Sequence, residues 1–352
     1  MSEAMRLFSQ ALEQLRLAVL NVPGLTGLAE APFLFRPLVM VVLLGVVAGV
    51  IGVIVNLRSA EFSAEAMVHA VFPGIVAGAV YWGIDAIIPA ASVVAVAAAL
   101  VLTIVSHRSR RGEASEAGTA VVLTSFFSIG LILSLAKGDM SGQLEALMFG
   151  RLLEVTDARL AQALIVCAVA LLLIAATWKE QVAYAFDRTG ARASGLRILA
   201  LDLVLNTAIA AAVVSASTAV GILLVIGYLV IPGATARVLA SRVRTMVVVA
   251  IAVGVGGGYL GMLLMALPET SDKPISPQAT VALVMTGILL LAVGVSTARE
   301  RLDRIRHRDH SAQPVTVAAA STTAGAEATT DRAGGAEGSA SGVTPVAERG
   351  RV

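Results

Sequence analysis

Apolar residues run through this chain in long blocks, and polar positions fall between the blocks instead of alternating with them. A helix needs about 20 apolar residues to cross a hydrocarbon core of about 30 Å. Nine blocks reach or approach that length: 37–57, 63–83, 87–105, 117–136, 160–178, 198–215, 218–236, 246–266 and 279–297. The pair at 198–236 is divided only by "VSASTAVG", an interval thin enough for a half-helix or re-entrant segment. The pattern predicts an all-α fold, a polytopic transmembrane helix bundle of about eight or nine membrane segments spanning residues 31–300.

The flanks read differently. In residues 1–30, Met5, Phe8, Leu12, Leu15 and Val19 share one face of an amphipathic helix, which predicts an interfacial segment. From about 309 the chain turns to Ala, Gly, Ser, Thr and Glu. Such a sequence cannot bury enough apolar area to offset ordering entropy, so residues 301–352 are expected to form a disordered cytoplasmic tail.

Composition narrows the class. Hydrophobic residues make up 57% of the 352 positions and charged residues 14%. Soluble domains carry roughly a quarter charged residues, so the chain is expected in the cell membrane. Aromatics are only 4%, which argues against the aromatic girdles of a membrane barrel. A net charge of +2 gives no case for a nucleic-acid partner. Cys167, the only cysteine, lies in an apolar run and reads as a small hydrophobe. Glycines inside the blocks, among them Gly45, Gly49, Gly254 and Gly258, read as points of close helix packing.

Basic residues orient the bundle. The clusters at 107–111, 179–197, 237–244 and 299–308 share one side of a nine-span threading, and the positive-inside bias makes that side cytoplasmic. Residues 137–159 and the Pro-rich turn 267–277 fall opposite, as does the N-terminus.

One stretch breaks the apolar pattern with chemistry. In "EAMVHAVFPG" (65–74), Glu65 and His69 stand four residues apart and so share one helix face. Cβ atoms at that spacing are roughly 5–6 Å apart. A helix beginning near Ser59 to Phe62 would carry His69 roughly 10–15 Å into the bilayer. Ionisable groups at such depth are costly and usually face a cavity or pathway. Pro73 has no N–H to give the His69 carbonyl, and Gly74 permits a bend or close backbone contact. A carboxylate, an imidazole and a carbonyl suit a borderline divalent ion such as Zn²⁺, Mn²⁺ or Fe²⁺; the same pair could also bridge helices or relay protons. The HExxH motif of a membrane metalloprotease is absent, and no second catalytic constellation supports an enzyme. Nor does the chain hold a GxxxxGK[ST] phosphate-binding loop, so any use of ATP must be delegated.

These residues resemble the integral-membrane permease of zinc/manganese/iron ATP-binding-cassette importers. Residues 64–74 are similar to that family's G-D-A-L-S-H-A-V-L-P-G, and "FGRLLEVTDARL" (149–160), "FDRTGARASGL" (186–196) and "AVGILLVIGYLVIPGATARVLASR" (219–242) are similar to three further family stretches in the same order. The resemblance implies an ABC importer permease fold, a homodimer, two cytoplasmic ATP-binding subunits and an extracytoplasmic metal-binding protein. It implies no permanently bound cofactor, the divalent ion being cargo. Glu65 and His69 would stand where the family has an aspartate and a histidine at the metal pathway, and Glu116 where it often has an acidic residue at the start of a span. Glu65 is one methylene longer than aspartate, and Ala64 replaces the motif's first glycine.

The 186–196 loop reads as a short capped helix, with Asp187 as N-cap and Ala191 and Gly195 small enough for close docking. The resemblance makes it, with Phe186, the contact with the ATPase. Pro232 leaves the Tyr228 carbonyl without its helical donor and marks, with Pro73 and Gly74, a candidate kink for gating. The alternative function is a proton-coupled secondary metal transporter, for which matching broken helices in inverted repeats would be expected.

Overall fold

The computed structural model describes residues 3–22, 24–108, 112–136, 150–217, 219–266 and 276–311. Among them there is helix but no strand. Two helices precede the bundle, α1 (Glu3–Val19) and α2 (Thr26–Glu30). Next come α3 (Pro32–Leu57), α4 (Glu61–Ala70) and α5 (Phe72–Ala77). A π-helical turn, Gly78–Trp82, prolongs α5. Then follow α6 (Ile87–Arg108), α7 (Gly112–Leu135), α8 (Asp157–Ala176), α9 (Trp178–Phe186) and α10 (Arg188–Ala193). The chain continues with α11 (Ile198–Ser217), α12 (Ile222–Leu239), α13 (Val243–Ala266) and α14 (Pro277–Ser311).

Each of the nine apolar blocks is a helical segment. Eight are long and apolar enough to cross a membrane, counting Glu61–Trp82 as one interrupted span, and the ninth is the shorter apolar stretch Leu224–Leu239 of α12. The doubtful pair at 198–236 is therefore a full-length α11 followed by a short α12 that starts behind Gly221. The Gly221 φ of +84° turns the chain sharply between them, a conformation glycine adopts at no steric cost.

At the other flank, α14 runs on to Ser311 and takes up the charged stretch 299–308, beyond the apolar block 279–297 and the expected bundle boundary at 300. Five of its ten residues are Arg, a good helix former able to extend a helix whose apolar part has ended. The rest of the expected tail, 312–352, lies outside the described residues. So do 109–111 of the first basic cluster, 137–149 of one expected outer loop and 267–275 of the other.

Lipid offers no hydrophobic drive for helix association, so close packing and polar contacts must supply it. The hub is α3, which lies against α13 and α12 and buries residues along its whole length. Its glycines permit the approach. A Cβ on Gly45 would stand 2.6 Å from Val255 N, one on Gly49 would stand 2.7 Å from Ile251 N, and one on Gly52 would overlap the Leu229 carbonyl. The Tyr228 hydroxyl donates to Val41 O at 2.9 Å, tying α12 to α3. On the other side α11 packs against α6 and α8, with Asn206 donating to the Thr103 hydroxyl at 2.9 Å. Cys167 is fully buried, in line with its reading as a small core residue.

Polar side chains gather at the two ends of the bundle and check its threading. At one end Arg58, at the close of α3, reaches Gln181 of α9 and Asp202 of α11. There His107 of α6 stands 4.0 Å from Asp202, and Arg237 of α12 donates to Asn56 O at 2.8 Å. These are residues of, or bordering, the connections assigned to the cytoplasmic side. At the opposite end Arg36 pairs with Asp157, and Arg159 with Asp85 at 3.4 Å. There α1 is fastened by Ser9, which donates to Asp157 at 2.8 Å, while its Phe8, Leu12 and Val19 lie against the core.

Candidate functional site

The helix carrying Glu65 and His69 is buried on most of its surface: Ala64, Ala66, Met67, Val68 and Ala70 are all enclosed. Glu65 is exposed, His69 half-buried and Phe62 38% exposed. Residues 62, 65 and 69 follow the i, i+3, i+7 spacing of one helical stripe. That stripe is therefore the accessible edge of α4, and the two polar groups lie along it.

What closes around His69 comes from α7. The imidazole meets the Phe127 ring edge to face, with centroids 5.3 Å apart and planes at 75°. Phe127 in turn lies 5.1 Å from the Phe72 ring. The His69 Nδ1 is buried and has no hydrogen-bond partner among protein atoms. Such an orphan costs roughly 1–3 kcal/mol unless a ligand satisfies it, and it calls for an explanation. An imidazole nitrogen in this state has a lone pair or a proton to offer to whatever occupies the stripe.

Beyond His69 the span is interrupted. The first helix ends at Ala70 and α5 begins at Phe72. Pro73 falls in the first turn of α5, where a missing N–H is tolerated. Gly74 lies against α6, where a Cβ would stand 2.7 Å from Ala91 Cα, and Gly130 of α7 lies against Phe72 and Pro73. The interruption is thus held between α6 and α7. Pro232 differs: α12 continues through it as one helix. The Asn56 amide donates to Val230 O at 3.3 Å beside it.

Glu116 does not join the pair. Among the described residues no three His, Cys, Asp or Glu side chains form a group able to hold a metal. Phe127 faces His69, and Glu116 lies eleven residues before Phe127 on α7. At a helical rise of about 1.5 Å per residue, that is about 16 Å away along the axis. Glu116 is exposed there.

The 186–196 loop has the expected local form. Asp187, with φ −141° and ψ 96°, stands at the cap position of α10. Its carboxylate accepts from Thr189 N at 3.0 Å and from Gly190 N at 2.8 Å, as an N-cap side chain does. Ala191 is buried against Tyr184, Ile198 and Leu201. Gly195 ends the helix with a φ of +81°, the left-handed stop that glycine favours. Phe186 stands 72% exposed at the elbow between α9 and α10, an apolar side chain unsupported by its own chain.

Sequence reasoning missed Arg58 and its partners. Gln181 and Asp202 lie 123 and 144 positions away, so no local spacing announces the contact. Phe127, one of several aromatics in apolar blocks, carried no signal either.

Comparison with known proteins bears on the whole bundle. The family model described as ABC 3 transport family matches residues 30–296. The chain is similar to the manganese transport system membrane protein MntC of Listeria monocytogenes, with 34% identity over 239 residues, 68% of this chain and 83% of that protein. It is also similar to the chelated iron transport system membrane protein YfeC of Yersinia pestis, with 31% identity over 63% of this chain and 75% of that protein. Among solved structures, PsaBC from Streptococcus pneumoniae in complex with Fab superposes with a TM-score of 0.65 at 26% identity, over 76% of this chain and 94% of that one. A match that takes in every membrane helix from α3 to α13, and α14 as far as residue 296, makes this chain a multi-pass membrane permease of the ABC 3 transport family.

Proposed function

We propose that the chain is the membrane-spanning subunit of an ATP-driven importer that carries a divalent transition-metal ion into the cell. Glu65 and His69 meet the ion on its way. The observation that carries this reading is the partnerless, buried Nδ1 of His69, one helical turn from an exposed carboxylate on the accessible stripe of α4. A conduction site must bind well enough to admit an ion and loosely enough to release it. Two side chains, with no third His, Cys, Asp or Glu grouped with them among the described residues, suit a transient stop better than a closed structural site. Water, or a second copy of the chain, would complete the shell. The names of the relatives favour manganese or iron over zinc.

ATP hydrolysis belongs to a separate cytoplasmic subunit that docks on the exposed Phe186 and the capped helix α10. The remaining partners are a second copy of the chain and an extracytoplasmic metal-binding protein that delivers the ion.

The test is manganese uptake by proteoliposomes holding the chain with its ATP-binding subunit and supplied with the metal-binding protein that delivers the ion. Glu65→Ala and His69→Ala should each lower ATP-dependent uptake by at least about tenfold, as expected for lost ligand contacts, with the complex still recovered intact. Uptake at the wild-type rate in either variant refutes the site. Uptake by the wild-type protein that follows a proton gradient and ignores ATP refutes the importer.

A further inference from the structure

We propose that Arg58 is the positioning residue that passes movement of the docking helix to the metal-bearing helix; this rests on the transport reading above. Arg58 closes α3 and opens the turn Arg58-Ser59-Ala60, from which α4 departs at Glu61. Its side chain is only 9% exposed and is held from two sides. Nη1 donates to the Gln181 Oε1 of α9 at 2.6 Å, and Nη2 pairs with the Asp202 carboxylate of α11. The guanidinium carbon lies 4.2 Å from the centre of the Tyr184 ring, within cation–π range.

The same ring is shared. The guanidinium of Arg188, first residue of α10, stands 5.4 Å from its centre. Tyr184 also packs against Ala191 of α10. A shift of α10 therefore acts on Tyr184, and through Tyr184 on Arg58. Gln181 is fully buried and donates to Leu201 O at 2.9 Å, so the acceptor of Arg58 is itself fixed.

The turn beyond Arg58 is shaped to respond. Ser59 has φ +51°, and among the described residues no other non-glycine residue has a positive φ. A serine holds that conformation where its surroundings impose it. Glu65 lies seven residues beyond Arg58 on the chain. From the start of α4 at Glu61 it is four residues, about 6 Å of helical rise, so a tilt set at the turn arrives at the carboxylate with little loss. Arginine fits the task because one planar group serves two oxygen acceptors and an aromatic face together, which an ammonium cannot.

The experiment reads ATP hydrolysis and manganese uptake in the same proteoliposomes, with the intact complex. Arg58→Gln should leave hydrolysis within about twofold of wild type and lower the manganese moved per ATP by roughly tenfold, the scale of mutations along a coupling network. Arg58→Lys, keeping the charge opposite Asp202, should fall between. Tyr184→Leu leaves the Arg58–Asp202 pair in place and should lower the same ratio; it decides the matter if Arg58→Gln is not recovered. A wild-type ratio in these variants overturns the proposal, and so does a proportional loss of hydrolysis and uptake, which marks a purely structural role. A wild-type complex that hydrolyses ATP but moves no manganese, iron or zinc overturns the transport reading and this inference with it; failure confined to the variants overturns only the role of Arg58.

Discussion

Gly45 and Gly254 meet backbone to backbone where α3 crosses α13: a Cβ on Gly45 would stand 2.7 Å from Gly254 C, and one on Gly254 would stand 2.6 Å from Gly45 O. The obstructing atoms are main chain, so no side-chain rotation can relieve an added methyl. Gly45→Ala must push the helices apart or distort one of them. Overpacking of this kind costs roughly 1–3 kcal/mol, which should lower the melting midpoint by roughly 2–10 °C. Gly256, two residues along α13, has open space where its Cβ would go. Gly256→Ala should leave the midpoint unchanged or raise it slightly, since alanine favours helix over glycine. Thermal unfolding of the two variants in one detergent checks the contrast; equal midpoints would mean the crossing tolerates more separation than the geometry allows.

The short helix α10 depends on one side chain. Asp187 accepts from two of its first backbone N–H groups, and a helix of six residues has few other sources of stability. Asp187→Ala should cost about 1 kcal/mol locally, fraying the surface proposed to dock the ATP-binding subunit and reducing that subunit's recovery about fivefold in co-purification. Asp187→Asn keeps a capping oxygen without the charge, so its recovery should stay near wild type. Equal losses in both variants would assign the effect to charge at the docking surface instead of helix capping.

How much of this was legible follows from where each signal resides. The membrane helices were readable because apolar blocks of full span length leave a chain few other options, and the short α12 was the doubtful one because its apolar run is brief. The break at Pro73 and the cap at Asp187 were readable because proline and aspartate act on backbone groups within four residues. Contacts made between helices were not. Phe127 finds His69 through the register of α7 on α4, and that register also sets Glu116, an acidic residue near the start of its span as in the family pattern, apart from the pair. Arg58 and Asp202 meet across 144 positions. Pro73 and Pro232 look alike in sequence, yet only the first stands at a helix break, because Gly74 and Gly130 let α6 and α7 close around the interruption.

Asp157 joins three elements. It takes Ser9 of α1 at 2.8 Å, pairs with Arg36 near the start of α3, and itself opens α8 behind the Thr156 cap. The pair is partly open to solvent, with side-chain exposures of 39% and 21%. Its loss should therefore cost about 1 kcal/mol and not the several expected of a buried ion pair. Asp157→Ala removes both the charge that holds Arg36 and the acceptor of Ser9. The main consequence should be release of α1, whose other anchors are apolar contacts of Phe8, Leu12 and Val19 and the Arg16 bond to Ala29 O at 2.9 Å. A loss of about 1 kcal/mol raises the undocked population about fivefold, and proteolysis follows that population when opening is fast. Trypsin should therefore cut at Arg6 and Arg16 about fivefold faster in Asp157→Ala than in the wild-type protein, with the bundle left intact. Unchanged cleavage would show that the apolar face of α1 holds the helix by itself, leaving Asp157 to serve α3 and α8 alone.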